Sequence, residues 1–150
     1  MNCSLFGHRT APSGLRSALK TSILKLIEEQ KVKNFYVGNN GNFDYLAQSV
    51  LSEITNTRKD VNYYIVLSQM GESALSGNQE ATLLPEGLET APPKFAMCKR
   101  NDWLIRNSDY AIVFVQGEIS NCYKLMKKAM RNGLKITNLA TWQTHEEPQK

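Results

Sequence analysis

The chain has 150 residues, 41% apolar and 21% charged, which describes one folded domain long enough to bury a core without disulfide or metal staples. Eighteen basic against fourteen acidic residues leave a net charge of +4, which suits an anionic ligand, yet no polybasic run marks a nucleic-acid tail. Three widely spaced cysteines, Cys3, Cys98 and Cys122, with no CxxC pair, argue against a disulfide framework or zinc site.

All three cysteines read as core residues. No basic segment followed by an apolar run opens the chain, and no apolar stretch reaches bilayer length, so a cytoplasmic protein without membrane association is expected.

Asn2 to Phe6 is predicted as a first strand that ends at Gly7-His8-Arg9. Pro12 and Ser13 announce a helix, in which Leu15, Ala18, Leu19, Ser22, Ile23, Leu26 and Ile27 recur at helical spacing. Asn34 to Val37 is a second strand. It runs into Gly38-Asn39-Asn40-Gly41 and a second helix with Leu46, Ala47, Val50, Leu51 and Ile54 on one face. Val61 to Leu67 is nearly all apolar or aromatic, as in a strand covered on both sides.

Ser68 to Ala91 shows no periodicity and is predicted as a long loop, the kind used as a lid or binding segment. Pro92 and Pro93 open a third helix. Tyr110 to Val115 is a fourth strand. Ser120 or Asn121 caps a last helix with Cys122, Met126, Ala129 and Met130 inward, and Gly133 stops it. Ile136 to Leu139 is a fifth strand. Residues 1–139 are expected to form the domain and 140–150 a polar tail.

Strands alternating with helices predict a three-layer α/β sandwich: a mostly parallel five-stranded sheet with helices on both faces. In such sheets ligands bind beyond the carboxyl ends of the strands, where the strand order reverses. Gly7-His8-Arg9, Gly38 to Asp44, the long loop and Gln116 to Asn121 all fall at that rim.

Gly38 to Gly41, followed by a helix start, can cradle an anion through backbone amides and the positive helix end. The same residues also suit a tight turn, with Asn42 as N-cap and Asp44 complementing the macrodipole. Arg9 serves equally as an anion fork or as the ion-pair partner of a surface turn. Glu86 and Glu89 beside a helix start are candidate carboxylates for ribose hydroxyls or glycosidic cleavage, although acidic residues are common there. Arg100 interrupts the stripe Ala96, Arg100, Trp103, Leu104, Asn107, and so needs Glu86, Glu89, Asp109 or a bound anion as partner. A Cys–His dyad would have to use His8, since the other histidine lies in the tail. GxGxxG and GxxxxGK[ST] are both absent.

Taken together, Cys3 to Arg9, Phe35 to Asp44, Pro85 to Glu89, Pro92 to Ala96, Lys99 to Leu104 and Ser108 to Val113 resemble, in order, the YpsA-like branch of the SLOG superfamily, small bacterial and phage proteins with a Rossmann-like fold. That superfamily includes phosphoribohydrolases of nucleoside monophosphates, sensors of nucleotide-derived signals and a DNA-processing protein. The resemblance implies a nucleotide-derived ligand contacting Gly7, His8, Arg9, Gly38, Asn39, Asn40, Gly41, Asp44, Glu86, Glu89, Arg100, Asn101, Gly117, Ser120 and Asn121. One departure stands out. Ser120 and Asn121 occupy the place of the family's Gly-Gly pair, and Glu118 adds negative charge beside it.

A binder or sensor of a nucleotide-derived small molecule is therefore expected, without cofactor or metal. A nucleotide N-glycosidase using Glu86 or Glu89 is the alternative. A nucleic-acid or protein interaction module ranks last for want of a basic stripe interleaved with aromatics. Homo-oligomerisation is left open.

Overall fold

The computed structural model describes residues 1–39, 41–67, 82–83, 85 and 92–140. Their elements are β1 (Asn2–Gly7), α1 (Arg16–Gln30, preceded by a 3-10 turn at Ser13–Leu15), β2 (Asn34–Val37), α2 (Asn42–Thr57), β3 (Asn62–Val66), β4 (Thr82–Leu83), α3 (Pro93–Arg106), β5 (Tyr110–Phe114), α4 (Asn121–Arg131) and β6 (Lys135–Asn138). The strands form one six-stranded sheet in the order β4-β3-β2-β1-β5-β6, and every neighbouring pair is parallel.

The expectation of five strands is corrected to six. Thr82 and Leu83, within the stretch read as a loop, pair with Ile65 and Val66, and the Leu67 amide donates to Leu83 O at 2.8 Å. Two residues carry no periodicity. They become a strand because the outer edge of β3 otherwise presents unpaired backbone groups.

Period-two alternation sorts the strand side chains into two layers. Cys3, Leu5, Phe35, Val37, Ile65 and Ile112 pack with α1 and α2 through Leu19, Ile23, Ile27, Ala47, Val50 and Leu51. On the opposite face Phe6, Ala111, Val113 and Val115 pack with Ile105 of α3 and Ala129 of α4. There Trp103 of α3 stands edge-on to Tyr36 with centroids 5.0 Å apart, and Ser4 Oγ donates to Leu104 O at 3.3 Å. Pairs of helices on each face make the expected three layers.

Several local expectations change. Gly41, not Asn42, occupies the N-cap of α2. Ser120 caps α4, its Oγ accepting from the Tyr123 amide at 3.1 Å. Cys98 is exposed rather than core, and Cys122 is half-buried. Met130 is 49% exposed rather than inward. Leu139 and Ala140 are buried in the core, whereas residues 141–150 lie outside those described. No described helix is long and apolar enough to cross a membrane.

Candidate functional site

From β1 the chain steps outward through β2, β3 and β4, then returns through α3 to β5 on the other side of β1. The strand order reverses between β1 and β5, and their connections part there. A cleft of about 170 Å³ lies at that point. Gly7 and Arg9 line it from the end of β1, and Gly41 and Asp44 from the start of α2. The opposite wall comes from Arg100 and Asn101 of α3 and from Asn121 and Cys122 of α4.

The floor is organised around Gly38, at the end of β2. A Cβ built there would collide with Arg100 Nη1 and stand 2.9 Å from Asp44 Oδ2. A guanidinium and a carboxylate thus converge on the one point that a side chain at position 38 would fill. Arg100 is 6% exposed and Asp44 8%, so both charges are withdrawn from water. Arg100 belongs to the α3 layer and Asp44 to the α2 layer, so the two together span the carboxyl edge of the sheet. Arg100 Nη2 also donates to Asn101 Oδ1 at 3.1 Å. Buried Gln48, one turn after Asp44, donates from Nε2 to Gly38 O at 2.8 Å and holds the strand end in place.

Gly41 answers a second close approach. A Cβ there would lie 2.7 Å from Arg9 Cα, which is backbone and cannot swing aside. The two loops are stitched by the Asn42 amide, which donates to Arg9 O at 2.9 Å. That hydrogen bond consumes one amide of the expected anion cradle, and Asp44 in the first turn offsets the positive helix end. Positive charge in this cleft therefore comes chiefly from the side chains of Arg9 and Arg100. Asn39 turns its carbonyl to the Tyr45 hydroxyl, 3.0 Å away.

On the α4 side, Asn121 lines the cleft while Ser120 is committed to capping. Gly117 is exposed with φ +77°, a turn residue away from the cleft lining. His8 also stands apart from the lining. The Gln116 amide donates to His8 Nε2 at 2.7 Å, and the ring meets Phe114 edge-on at 5.8 Å. His8 thereby extends the β1–β5 pairing beyond the strand ends.

Cys122 sits among Asp44, Arg100 and Arg9. Burial pushes its thiol above the usual value, Asp44 adds to the rise, and the two arginines oppose it. With His8 Nε2 accepting from Gln116, the geometry supplies neither a thiolate nor a positioned base for the Cys–His dyad. Among the described residues no three His, Cys, Asp or Glu side chains group to hold a metal.

The cleft thus gathers Gly7, Arg9, Gly41, Asp44, Arg100, Asn101 and Asn121 of the expected set, with Gly38 beneath. Asn40, Glu86 and Glu89 lie outside the described residues. Asp109, a candidate partner for Arg100, instead accepts from the Asn2 amide at 3.1 Å, at the amino end of β1. Sequence reasoning missed Cys122, Met97 and Gln48; of these only Gln48, a polar residue one turn beyond Asp44, left a signal.

No family model and no curated protein matches the chain. Among solved structures it is similar to DNA processing protein A (DprA) from Streptococcus pneumoniae, with a TM-score of 0.66 and 16% identity over 90% of this chain and 48% of that one. The chain spans about half the length of that protein. The likeness is one of fold: a parallel α/β sheet of Rossmann-like type.

Proposed function

We propose that this protein binds a nucleotide-derived small molecule in the strand-end cleft, as a sensor or carrier rather than a catalyst, and that it represents the YpsA-like branch of the SLOG proteins. The observation that carries the proposal is the convergence of Arg9 and Arg100 on the glycine-floored cleft where the strand order reverses. Two guanidiniums against one carboxylate leave one excess positive charge among the described lining residues. Asn101 and Asn121 add neutral donors and acceptors suited to a ribose or base edge. Met97 and Leu125 supply the apolar surface that a base requires. Among the described lining residues Cys122 carries the thiol, and its burial works against a thiolate nucleophile.

Calorimetric titration with mono-, di- and cyclic nucleotides tests the proposal. At least one should bind, and Arg9→Ala should weaken it about 10- to 100-fold, the worth of a charge-assisted hydrogen bond. Absence of binding across the panel, or equal binding by the Arg9→Ala protein, would refute it.

A further inference from the structure

The outer face of α4 carries charge of one sign only. Its buried stripe, Cys122, Leu125, Met126 and Ala129, packs on the sheet. Directly opposite, Lys124, Lys127, Lys128 and Arg131 fall within an arc of roughly 100°. No acidic residue lies in the helix.

The contrast with the other face of the protein is sharp. There Arg16 and Lys20 pair with Glu53, and Arg58 with Glu28 and Asp60. On α4 only Lys128 has an ionic partner among the described residues, Asp102 of α3. Glu118 lies before the first turn, at the end of the helix far from Arg131. Lys127 sits 6.0 Å from the centroid of the Tyr123 ring, so the stripe is cationic with an aromatic inside it. This is the pattern that the linear sequence did not reveal.

We propose that the outer face of α4 docks the phosphodiester backbone of a nucleic acid. From Lys124 to Arg131 the helix advances about 10 Å. One nucleic-acid strand presents a charge every ~3.4 Å of duplex axis, so that length faces about three phosphates, matching Lys124, Lys127 and Arg131. A membrane fits poorly, because the apolar side of α4 is already spent on the core and cannot insert. An acidic protein partner would want a large apolar anchor within the patch, and Met130 only flanks it.

Fluorescence anisotropy with a short labelled single strand, and with the matching duplex, tests the proposal. With three to four phosphates engaged, log K against log salt should slope about −2 to −3 for the single strand, a loss of about 20- to 50-fold between 50 and 200 mM salt. The triple reversal Lys124→Glu, Lys127→Glu, Arg131→Glu should lower affinity more than about tenfold and flatten the slope. Lys25→Glu with Lys59→Glu, on the opposite helical layer, should leave both unchanged. Circular dichroism melts confirm folding, and Lys127→Ala alone should still reduce the slope by about 0.7. Unaltered binding by the α4 variants would overturn the proposal. So would loss of binding only on Arg9→Ala in the cleft, or stronger binding to poly-glutamate or to phosphatidylserine vesicles.

Discussion

Gly38→Ala is the sharpest probe of how the cleft is built. The backbone there does not demand glycine: among the described residues only Gly117 and Gly133 are glycines at positive φ. On conformational grounds alone, alanine should therefore stabilise by about 0.4–1 kcal/mol through the unfolded chain. Against this stands the collision of its Cβ with Arg100 Nη1 and its 2.9 Å approach to Asp44 Oδ2. Crowding of this kind in a packed region costs about 1–3 kcal/mol. The net expectation is a loss of about 0.5–2 kcal/mol, or about 1–8 °C in Tm for a domain of this size.

A double-mutant cycle in urea isolates the cause. Arg100→Met keeps the apolar stem and removes the guanidinium, which leaves Asp44 room to swing. In that background Gly38→Ala should turn neutral or stabilising, giving a coupling of about 1–3 kcal/mol. Gly14→Ala is the control, since nothing lies within 4 Å of a Cβ there. A coupling below about 0.3 kcal/mol would show that position 38 is not glycine on account of Arg100.

The three cysteines should alkylate in the order Cys98, Cys122, Cys3. Cys98 is exposed, whereas burial raises both of the other thiols, and Cys3 is fully enclosed. Peptide mapping after iodoacetamide should show Cys122 accelerating above about pH 9 and slowing when the cleft is filled; rapid labelling of Cys122 at pH 7 would contradict its environment. The Glu53 carboxyl is held below its ordinary 4.5, first by the Lys20 hydrogen bond and then by Arg16. Its folded-state value lies below the unfolded one, so the stabilisation is present above about pH 4.5 and fades as pH falls through the folded value. Glu53→Gln should accordingly flatten the acid limb of a Tm-against-pH curve, modestly because the pair is exposed. Asn121→Gly should weaken the cleft ligand about 2- to 10-fold, the worth of one neutral hydrogen bond. Ser120→Gly should leave affinity unchanged and cost the helix only a few tenths of a kcal/mol; tighter binding by either variant in calorimetry would show that these side chains obstruct the ligand.

The layers were legible because their signals are local. The stripes of α1 and α2 and the alternation within β1, β2 and β5 are set by residues a few positions apart, and the sandwich follows. Helical spacing applied strictly would also have excluded two of the misplaced residues. Cys98 lies two positions from Arg100, on the far side of the stripe Ala96–Arg100–Leu104. Met130 falls outside the arc of Cys122, Leu125, Met126 and Ala129. The two-residue β4 left no pattern at all. The convergence of Asp44 and Arg100 on Gly38 was hidden for a different reason. Arg100 announced itself by interrupting a buried stripe, but the buried carboxylate that shares the space beside Gly38 lies 56 positions earlier, in another layer. A first-turn Asp looks the same in sequence whether it lies exposed at a helix start or buried at a strand-end cleft.

The distribution of charge around this cleft also bears on the one departure from the resemblance. A Gly-Gly helix start offers a phosphate bare backbone amides. Here the corresponding helix start is occupied: Ser120 Oγ takes the Tyr123 amide, and Asn121 brings a side chain to the cleft wall. The α2 start is likewise spent, its Asn42 amide on Arg9 O and its first turn carrying Asp44. Two helix ends that could hold an anion by backbone alone have thus given up part of that capacity. Among the described residues, the cationic groups in the cleft wall are Arg9 and Arg100. An anion held by side-chain guanidiniums depends on where those side chains sit. Arg100 lies against Gly38 and donates to Asn101, whereas Arg9 is tied through its backbone to the start of α2. A ligand that recruits both would draw α2 and α3 toward one another across the sheet edge. Coupling of that kind is what the proposed role, reporting occupancy of the cleft, requires.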